Sequence, residues 1–226
     1  MSGTLYLVGT PIGNLQDITK RALEILSAVD YILAEDTRVT LKLLNHYGIS
    51  KRLIAYHEHA SDHKEEIIIS ELDAGKSYAL VTDAGTPGVS DPGGRLVEKV
   101  AAAGHAIVPI PGVSAVTTLI SVCGLKTDAW HFWSFFPQKN KKRRDLMNWM
   151  ATVPGVHIFF ESPFRIRKTL ALFVAEDDRW QLVVGRELTK KFETIERGKP
   201  SELLEKIDEA HCRGEFSVCV LRIGLE

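Results

Sequence analysis

The chain has no long hydrophobic run, since none of its apolar stretches approaches the roughly 18 residues needed to span a bilayer. Its first residues, MSGT, continue straight into a strand pattern without a charged leader before an apolar stretch. It also lacks internal repeats and low-complexity tracts. These absences predict a globular protein of the cytoplasm that has no membrane partner.

Cysteine is scarce. The sequence has 3 cysteines, which are Cys123, Cys212 and Cys219, and no two of them form a CxxC pair. We therefore expect buried free thiols rather than a disulfide or a metal site.

The fingerprints of nucleotide-phosphate binding are missing too, because no glycine loop has the GxGxxG order or ends in GK[ST]. Three other Gly/Pro loops follow apolar runs: GTPIGN at residues 9–14, TDAGTPGVSDPGG at residues 82–94 and PGVS at residues 111–114. Loops of this kind at strand ends are typical of ligand sites in α/β proteins. Their prolines and carbonyl oxygens favour a cationic or hydrogen-bonding ligand over a phosphate, and a sulfonium methyl donor meets that requirement.

The first half alternates strands with helices, which indicates a mostly parallel sheet whose ligand loops lie at the strands' carboxyl ends. The length of 226 residues and the 45% hydrophobic content suffice for one large or two small domains. Strands are predicted over residues 5–8, 31–34, 53–56, 78–81 and 106–110. Helices are predicted over residues 18–29 (capped by Asp17 or Thr19), 62–74 and 92–103, and a further helix is predicted to end at Gly48.

The second half has a different pattern, typical of an α+β domain with a mixed sheet. Residues 181–186 and 192–196, separated by a short turn, are predicted to pair antiparallel. The other strands are expected at 129–136, 156–160 and 216–223, and helices at 141–152, 163–175 and 201–213. Residues 124–128 are the best linker, so the predicted domains are 1–124, with the cofactor loops, and 125–226, with a basic segment.

The charge is distributed unevenly. Residues 1–125 hold 10 Lys plus Arg against 14 Asp plus Glu, and residues 126–226 hold 18 against 15. Five cations fall within residues 139–144, close to the aromatic residues of the stretch 130–136. Basic and aromatic side chains together can neutralise phosphates and stack on bases. The alternative is a core strand followed by a solvated helix start, and composition alone leaves both interpretations open.

Seven motifs, spread in order over nearly the whole chain, resemble those of the ribosomal RNA small subunit methyltransferase I group of the tetrapyrrole methylase superfamily. The resemblance implies a two-domain fold that holds S-adenosyl-L-methionine in a cleft, a homodimer, and methylation of a cytidine ribose 2'-hydroxyl in the decoding region of 16S rRNA, within the 30S subunit. The motifs are GTPIGNLQDIT (from residue 9), AEDTR (34), TDAGTPGVSDPG (82), PGVSA (111), FFPQK (135), ESPFR (161) and RELTKKFE (186).

The same resemblance implies functions for particular residues. Cofactor contacts are expected at Thr10, Pro11, Asp83, Ala84, Gly85, Val89, Ser114, Ala115, Phe136 and Leu188. RNA phosphate contacts are expected at Arg38, Lys139, Lys141, Lys142, Arg143, Arg144 and Arg165.

A general base would help the reaction, because a sugar hydroxyl is a poor nucleophile until it loses its proton. Motif membership nominates Asp36, Glu161 and Glu187 for this role. The alternative is structural: Glu161 and Glu187 pair with Arg165 and Arg186 or organise loops.

A histidine group, His57, His59 and His63, is a candidate zinc site, but its spacing fixes no fourth ligand and we expect no metal. The alternative interpretations of the histidine group are an exposed surface without a function and a loop that lines the RNA site. Two functions compete with the rRNA methyltransferase: a methyltransferase of the same fold that acts on a tetrapyrrole or a modified protein side chain, and a non-catalytic RNA-binding protein. The basic run argues against a small macrocycle, which needs no cationic surface.

Overall fold

The structure is a computed structural model that describes residues 3–57, 60–208 and 212–224. The chain divides into two compact units, Met1–Ser114 and Ala115–Glu226. No helix within the described ranges is both long and apolar enough to cross a membrane.

The first unit is a parallel sheet of five strands in the order β3-β2-β4-β1-β5, as the alternating pattern predicts. Thr19, rather than Asp17, caps the first helix, because its side chain accepts a hydrogen bond from the Ala22 amide. The elements are β1 Thr4–Val8, α1 Lys20–Ala28, β2 Tyr31–Ala34, α2 Thr37–His46, β3 Arg52–Ala55, α3 Asp62–Asp73, β4 Tyr78–Val81, α4 Gly94–Ala102 and β5 Ala106–Ile110.

Both faces of this sheet are covered by helices. Along β4, Tyr78 and Leu80 pack in the core beneath α3 and α4, whereas Ala79 and Val81 face the core that contains α1 and α2. A strand buried on both faces has no polar side to display. This burial explains why the strands of the first half are continuous apolar runs.

The order of the strands contains a topological switch point. Strands β1 and β4 are neighbours, but the chain leaves β1 towards β2 and leaves β4 towards β5, in opposite directions. Such a switch point is where open α/β sheets bind ligands. Residues 9–14 and 82–93 follow these two strands and therefore lie at the switch point.

The second unit is a mixed sheet in the order β6-β7-β10-β8-β9. Strands β6 and β7 are parallel, and the other neighbours are antiparallel, including the predicted pair β8 and β9. The elements are α5 Ala115–Cys123, β6 Trp130–Phe135, α6 Asn140–Met150, β7 Val156–Glu161, α7 Ile166–Glu176, β8 Trp180–Arg186, β9 Thr194–Gly198, α8 Pro200–Lys206 and β10 Phe216–Arg222.

Helix α5 is absent from the sequence-based assignment and shifts the division of the chain. Helices α6, α7 and α8 share one hydrophobic core with the sheet, and α5 packs against β10. A Cβ built on Gly185 of β8 would lie 2.9 Å from Leu119 of α5, so the glycine permits this approach. Because α5 packs on the second sheet, the units divide at residue 114, whereas the sequence places the domain boundary after residue 124.

Several predicted boundaries move because turns replace regular structure. Helix α7 begins at Ile166 because residues 162–165 form a turn closed by the Arg165 amide on the Ser162 carbonyl. Strand β9 begins at Thr194, two residues later than predicted, after the Glu193 amide bonds the Lys190 carbonyl. Helix α8 ends at Lys206 rather than residue 213.

Cys123, Cys212 and Cys219 form no disulfide among the described residues, as expected. Cys123 and Cys219 are buried, but the prediction of burial is wrong for Cys212, which is half-buried at the margin of the second core. Burial, with Cys123 alongside, raises the pKa of the Cys219 thiol and keeps it protonated.

Candidate functional site

The three Gly/Pro loops of the first unit meet at the carboxyl edge of the parallel sheet. Thr10 and Gly85 form an antiparallel bridge, with N···O distances of 2.8 and 3.1 Å, which joins the first loop to the second. Gly9 and Gly112 bring the first and third loops so close that a Cβ on Gly112 would lie 2.9 Å from the Gly9 backbone. The loops therefore form one continuous wall made largely of main chain.

Carboxylates flank this wall. The Asp36 amide donates to the Asp83 carboxylate at 2.9 Å, which ties the end of β2 to the loop after β4. Arg38 binds Asp36 with both Nε and Nη2, and its amide donates to the same carboxylate, which caps α2. These hydrogen bonds from Arg38 lower the pKa of Asp36 well below its usual range, so Asp36 is ionised at neutral pH.

This edge fits the cationic methyl donor that the resemblance implies. The carboxylates of Asp83, Asp36 and Glu35 lie at this edge, and negative charge attracts a sulfonium and an ammonium group and repels phosphate. The close glycine contact leaves no room for a side chain where the loops meet. Glu35, which sequence reasoning missed although it lies in the AEDTR motif, adds a further carboxylate that accepts from the Asp83 amide at 3.5 Å.

The residues expected to contact the cofactor occupy different positions in this wall. Thr10 is buried, and its hydroxyl lies 3.2 Å from the Thr82 carbonyl, so it joins the loops. Asp83 and Val89 are exposed and available to a ligand, whereas Pro11 and Gly85 are buried. Ala84, Ser114 and Ala115 are half-buried, with Ala115 the first residue of α5.

The second unit gathers its basic and aromatic residues at one edge of its own sheet. Strands β6, β7 and β8 run in the same direction, so their carboxyl ends lie along a single edge. The loops that follow contain the FFPQK, ESPFR and RELTKKFE motifs. Three large exposed side chains occur here: Phe135 is 54% exposed, Phe164 95% and Phe192 64%.

A cavity of about 710 Å³ opens at the ends of β6 and β7. A register shift in β6 between Phe132 and Phe135, with a left-handed φ of 58° at Ser134, turns the end of this strand towards the cavity. The lining residues are Phe135, Phe136, Pro137, Gln138, Ser162, Phe164 and Arg165. Sequence reasoning missed Pro137, Gln138, Ser162 and Phe164, although they lie inside motifs that it quoted.

Glu161 holds the ESPFR turn from within. Its carboxylate pairs with Arg165 at 2.6 Å and accepts hydrogen bonds from the Thr169 hydroxyl at 2.6 Å and the Ser162 amide at 2.7 Å. Glu161 is buried, and Arg165 also donates to the Ser162 hydroxyl at 3.2 Å. This geometry favours the structural alternative for Glu161, and the charge of Arg165 is already neutralised by its partner.

Glu187 also lies in a structural network. It accepts from Lys190 at 2.9 Å and from the Glu215 amide at 3.0 Å, whereas Arg186 donates instead to the Arg213 carbonyl. Burial alone would raise the pKa of Glu187, but the hydrogen bond from Lys190 brings it below its ordinary value. The expected pairing of Glu187 with Arg186 is therefore replaced by one with Lys190.

The loop that contains Leu188 is strained. Glu187 and Thr189 both adopt left-handed φ values, 51° and 67°. Thr189 has a buried hydroxyl that finds no hydrogen-bond partner among the described residues. Leu188 and Phe136 are buried, and their assignment to the cofactor stays a prediction.

The cations of the FFPQK segment lie at the start of α6. Lys139 occupies the N-cap position of this helix without a side-chain capping bond, and no acidic residue occupies the first turn. Within the described ranges, no carboxylate lies within 4.0 Å of Lys139, Lys141, Lys142 or Arg144, and Arg143 bonds only the Asn140 side chain. Positive charge at a helix N-terminus is unfavourable in the free protein. An anionic partner would relieve this repulsion.

The histidine group gives no site that can be described. His57 is exposed, His63 lies 3.9 Å from Glu66, and His59 falls outside the described residues.

Comparison with known proteins agrees with these features. The model of the family Tetrapyrrole (Corrin/Porphyrin) Methylases matches residues 4–204. "Ribosomal RNA small subunit methyltransferase I" of Escherichia coli O157:H7 is 46% identical over 222 residues, which cover 96% of this chain and 77% of the relative. The protein of the same name from Halalkalibacterium halodurans is 42% identical over 218 residues, covering 96% of this chain and 75% of the relative.

Solved structures share the fold at low identity. A diphthine synthase superposes with a TM-score of 0.74 at 17% identity, covering 100% of this chain and 92% of its own. The uroporphyrin-III-C-methyltransferase of Thermus thermophilus gives a TM-score of 0.65 at 17% identity, covering 96% and 94%. The chain thus belongs to the tetrapyrrole methylase family, which depends on S-adenosyl-L-methionine, and within it to the ribosomal RNA small subunit methyltransferase I group.

Proposed function

We propose that this protein transfers a methyl group from S-adenosyl-L-methionine to the 2'-hydroxyl of a cytidine ribose in the decoding region of 16S rRNA. We propose that the substrate is the RNA within the 30S subunit, so the enzyme acts in the cytoplasm. We also propose that it is a homodimer. The observation that carries the proposal is the joined wall of three loops at an acidic sheet edge, in a chain 46% identical to a protein named for rRNA methylation.

The residues of the first unit would bind and orient the cofactor. Main-chain atoms of residues 9–14, 82–93 and 111–114 form the surface, and Asp83 offers an exposed carboxylate for hydroxyl or amine donors. When bound, S-adenosyl-L-methionine supplies the methyl group and leaves as a neutral thioether. Because alignment of two reactants can supply roughly 7–11 kcal/mol, positioning by these loops is the main contribution that we assign to the protein.

Asp36 is the residue we assign to the ribose hydroxyl, because among the three nominated carboxylates it alone lies at the edge of the cofactor loops. Its lowered pKa makes it a weak base but a permanent hydrogen-bond acceptor at neutral pH. We expect Asp36→Asn to reduce the rate of methyl transfer roughly 10- to 100-fold while cofactor affinity is unchanged. Single-turnover assays measure the rate and calorimetry the affinity; an unchanged rate would exclude this role.

The RNA would be bound by the exposed cations at the start of α6. Lys139, Lys141, Lys142 and Arg144 have no acidic partner within the described ranges and can each approach a phosphate. Arg38 and Arg165, which the resemblance also assigns to RNA, are already paired with Asp36 and Glu161. We therefore expect them to contribute less to RNA affinity than the four free cations.

The decisive experiment has two stages. Calorimetry with S-adenosyl-L-methionine first tests cofactor binding, and its absence would favour the non-catalytic RNA-binding alternative. Transfer of labelled methyl groups is then compared among naked 16S rRNA, isolated 30S subunits and a tetrapyrrole, and the methylated nucleotide is mapped. Labelling of the tetrapyrrole alone would overturn the choice of substrate, and light scattering measures the oligomeric state.

A further inference from the structure

We propose that the cavity at the ends of β6 and β7 binds one unpaired nucleobase of the RNA, with Phe164 as the residue on which the base stacks. This inference rests on the proposed function and adds the way in which a single-stranded segment is recognised. It concerns the cavity lined by the FFPQK and ESPFR motifs, which we call the aromatic cavity.

Phe164 is exposed to a degree that its own fold does not require. It is 95% exposed, although nearly every other large apolar residue of the second unit contributes to a core or is less than two-thirds exposed. A fully solvated phenyl ring gains no burial energy in the free protein. Its exposure is compensated when a flat apolar partner covers it.

The backbone that carries Phe164 is fixed. The neighbouring Arg165 is anchored to buried Glu161 at 2.6 Å and to the Ser162 hydroxyl at 3.2 Å. Its Nη1 also lies 3.5 Å from the Phe136 carbonyl, which ties the ESPFR turn to the FFPQK loop. Arg165 is therefore a positioning residue: it holds the turn that carries Phe164 before any ligand arrives, which limits the backbone entropy lost on binding.

The dimensions and polarity of the aromatic cavity suit a nucleobase. Its volume of about 710 Å³ lies within the range of small-ligand sites. Phe135 and Phe164 supply aromatic surface, while Gln138 and Ser162 supply hydrogen-bonding groups at the same opening. A base offers a flat face and a polar edge, so it matches both parts.

Charge at the rim selects the kind of partner. The cations without an acidic partner, Lys139, Lys141, Lys142 and Arg144, begin at the last residue of the FFPQK motif, so a bound nucleotide would have its phosphates close to them. A second copy of this chain fits less well, because a two-fold interface at this rim would bring the cations of both copies into one buried contact. An RNA strand, which combines bases with phosphates, satisfies the aromatic and cationic groups at once.

The experiment uses a single-stranded oligoribonucleotide that contains 2-aminopurine, whose fluorescence is quenched when the base stacks. We expect the wild-type protein to quench it, and Phe164→Ala to bind about 5- to 100-fold more weakly with little quenching. Phe164→Trp should restore both signals. Trp130→Ala is the matched control, because Trp130 is an exposed aromatic residue at the opposite end of β6.

Each other outcome identifies a different error. If Phe164→Ala retains quenching and RNA affinity, the inference is wrong even where the wild-type enzyme methylates rRNA. If this variant loses affinity for S-adenosyl-L-methionine, the aromatic cavity belongs to the cofactor; if it changes only the oligomeric state, Phe164 lies in a contact between copies. Failure of the wild-type protein to methylate rRNA, with quenching intact, would reject the proposed function and keep the stacking site.

Discussion

Each of the two units has its motif loops at one edge of its sheet, but the side chains at the two edges differ in charge. The first unit has a wholly parallel sheet, so the loops after β1, β2, β4 and β5 all meet at one edge and form a wall of main chain flanked by carboxylates. The second unit has only part of its sheet running in one direction, and the edge it forms carries phenylalanines and cations. The comparison separates the proposed site for a small cationic ligand from the proposed surface for a polyanion.

The largest expected effect comes from breaking the main-chain wall of the first unit. Gly112→Ala places a Cβ 2.9 Å from the Gly9 backbone, which must move because no flexible side chain can yield. We expect cofactor affinity to fall at least 100-fold, with a loss of stability of about 1–3 kcal/mol. Calorimetry and thermal unfolding measure the two effects.

Gly94→Ala provides the matched control for that substitution. A Cβ at Gly94 meets nothing within 4 Å, and the residue starts α4. Its affinity for the cofactor and its stability should stay within about 0.5 kcal/mol of the wild-type values or improve slightly. If Gly112→Ala behaves like Gly94→Ala, the glycine contact has no role in the site.

The second prediction removes the positive edge of the second unit. The triple variant Lys141→Gln, Lys142→Gln and Arg144→Gln should bind RNA roughly 100-fold more weakly at low salt. The slope of log affinity against log salt should decrease by about 0.7 for each phosphate that the variant no longer neutralises. Filter binding over a series of salt concentrations measures both the affinity and this slope.

The same variant should gain a few tenths of a kcal/mol in stability, because it removes repulsion at the start of α6. Cofactor affinity is expected to be unchanged, and Lys126→Gln, an exposed lysine before β6, is the control. Equal loss of RNA and cofactor affinity would show that these cations maintain structure rather than bind RNA.

The third prediction distinguishes catalysis from folding at Glu161. Glu161→Gln leaves Arg165 without its buried partner and weakens the bond to Thr169, so we expect a loss of about 3 kcal/mol in stability. Chemical denaturation measures this loss. A general base would behave differently: the folded variant would keep its stability and lose methyl transfer by more than 100-fold.

The smallest effect is a difference in acid sensitivity between the units. Burial lowers the pKa of His157 to about 4. The neutral ring donates from Nε2 to the Val153 carbonyl at 3.2 Å and accepts from Trp133 at Nδ1. In the unfolded chain it titrates near 6.5, so stability is full above pH 6.5 and falls by about 2 kcal/mol towards pH 4.5.

In the first unit, burial raises the pKa of Glu65, but hydrogen bonds from Lys99, Tyr56 and Arg95 bring the net value below 4.5. Its contribution is therefore present above pH 4.5 and is lost only at more acidic pH. Intrinsic amide exchange slows as the pH falls from 7 to 4.5, so the quantity to compare is the protection factor, the ratio of the intrinsic to the observed exchange rate at the same pH. Protection factors should decrease first in the second unit. His157→Gln should remove this pH dependence, and protection factors that decrease first in the first unit would contradict the assignment.

Much of the fold could be predicted, since apolar runs and turn residues act locally. Strand β5 and the capped helix α1 lie close to where their patterns predict them. Helix α5 could not be predicted, because its apolar sequence AVTTLISVC has no clear amphipathic period. Packing on β10 stabilises it as a helix. The delayed start of β9 likewise depends on a turn, which the Glu193 amide closes on the Lys190 carbonyl.

The site was predictable to a similar degree. The glycine loops could be identified because Gly and Pro after an apolar run mark a strand end. The partner of each charged side chain could not be identified from the sequence. Glu187 binds Lys190 rather than Arg186, and the charge of Arg165 is neutralised by Glu161. Motif membership places a residue in a segment without fixing the direction of its side chain.

The sequence by itself determined the family, the alternating architecture of the first unit, and the motif segments to which we assign function, because these are recorded in residue order. Only the tertiary structure decided that Thr10 closes on Gly85, that Gly9 and Gly112 touch, and that Phe164 stands exposed beside an anchored Arg165. Contacts between residues far apart in the chain follow from strand order and packing. The local sequence around each residue contains no direct information about the strand order or the packing.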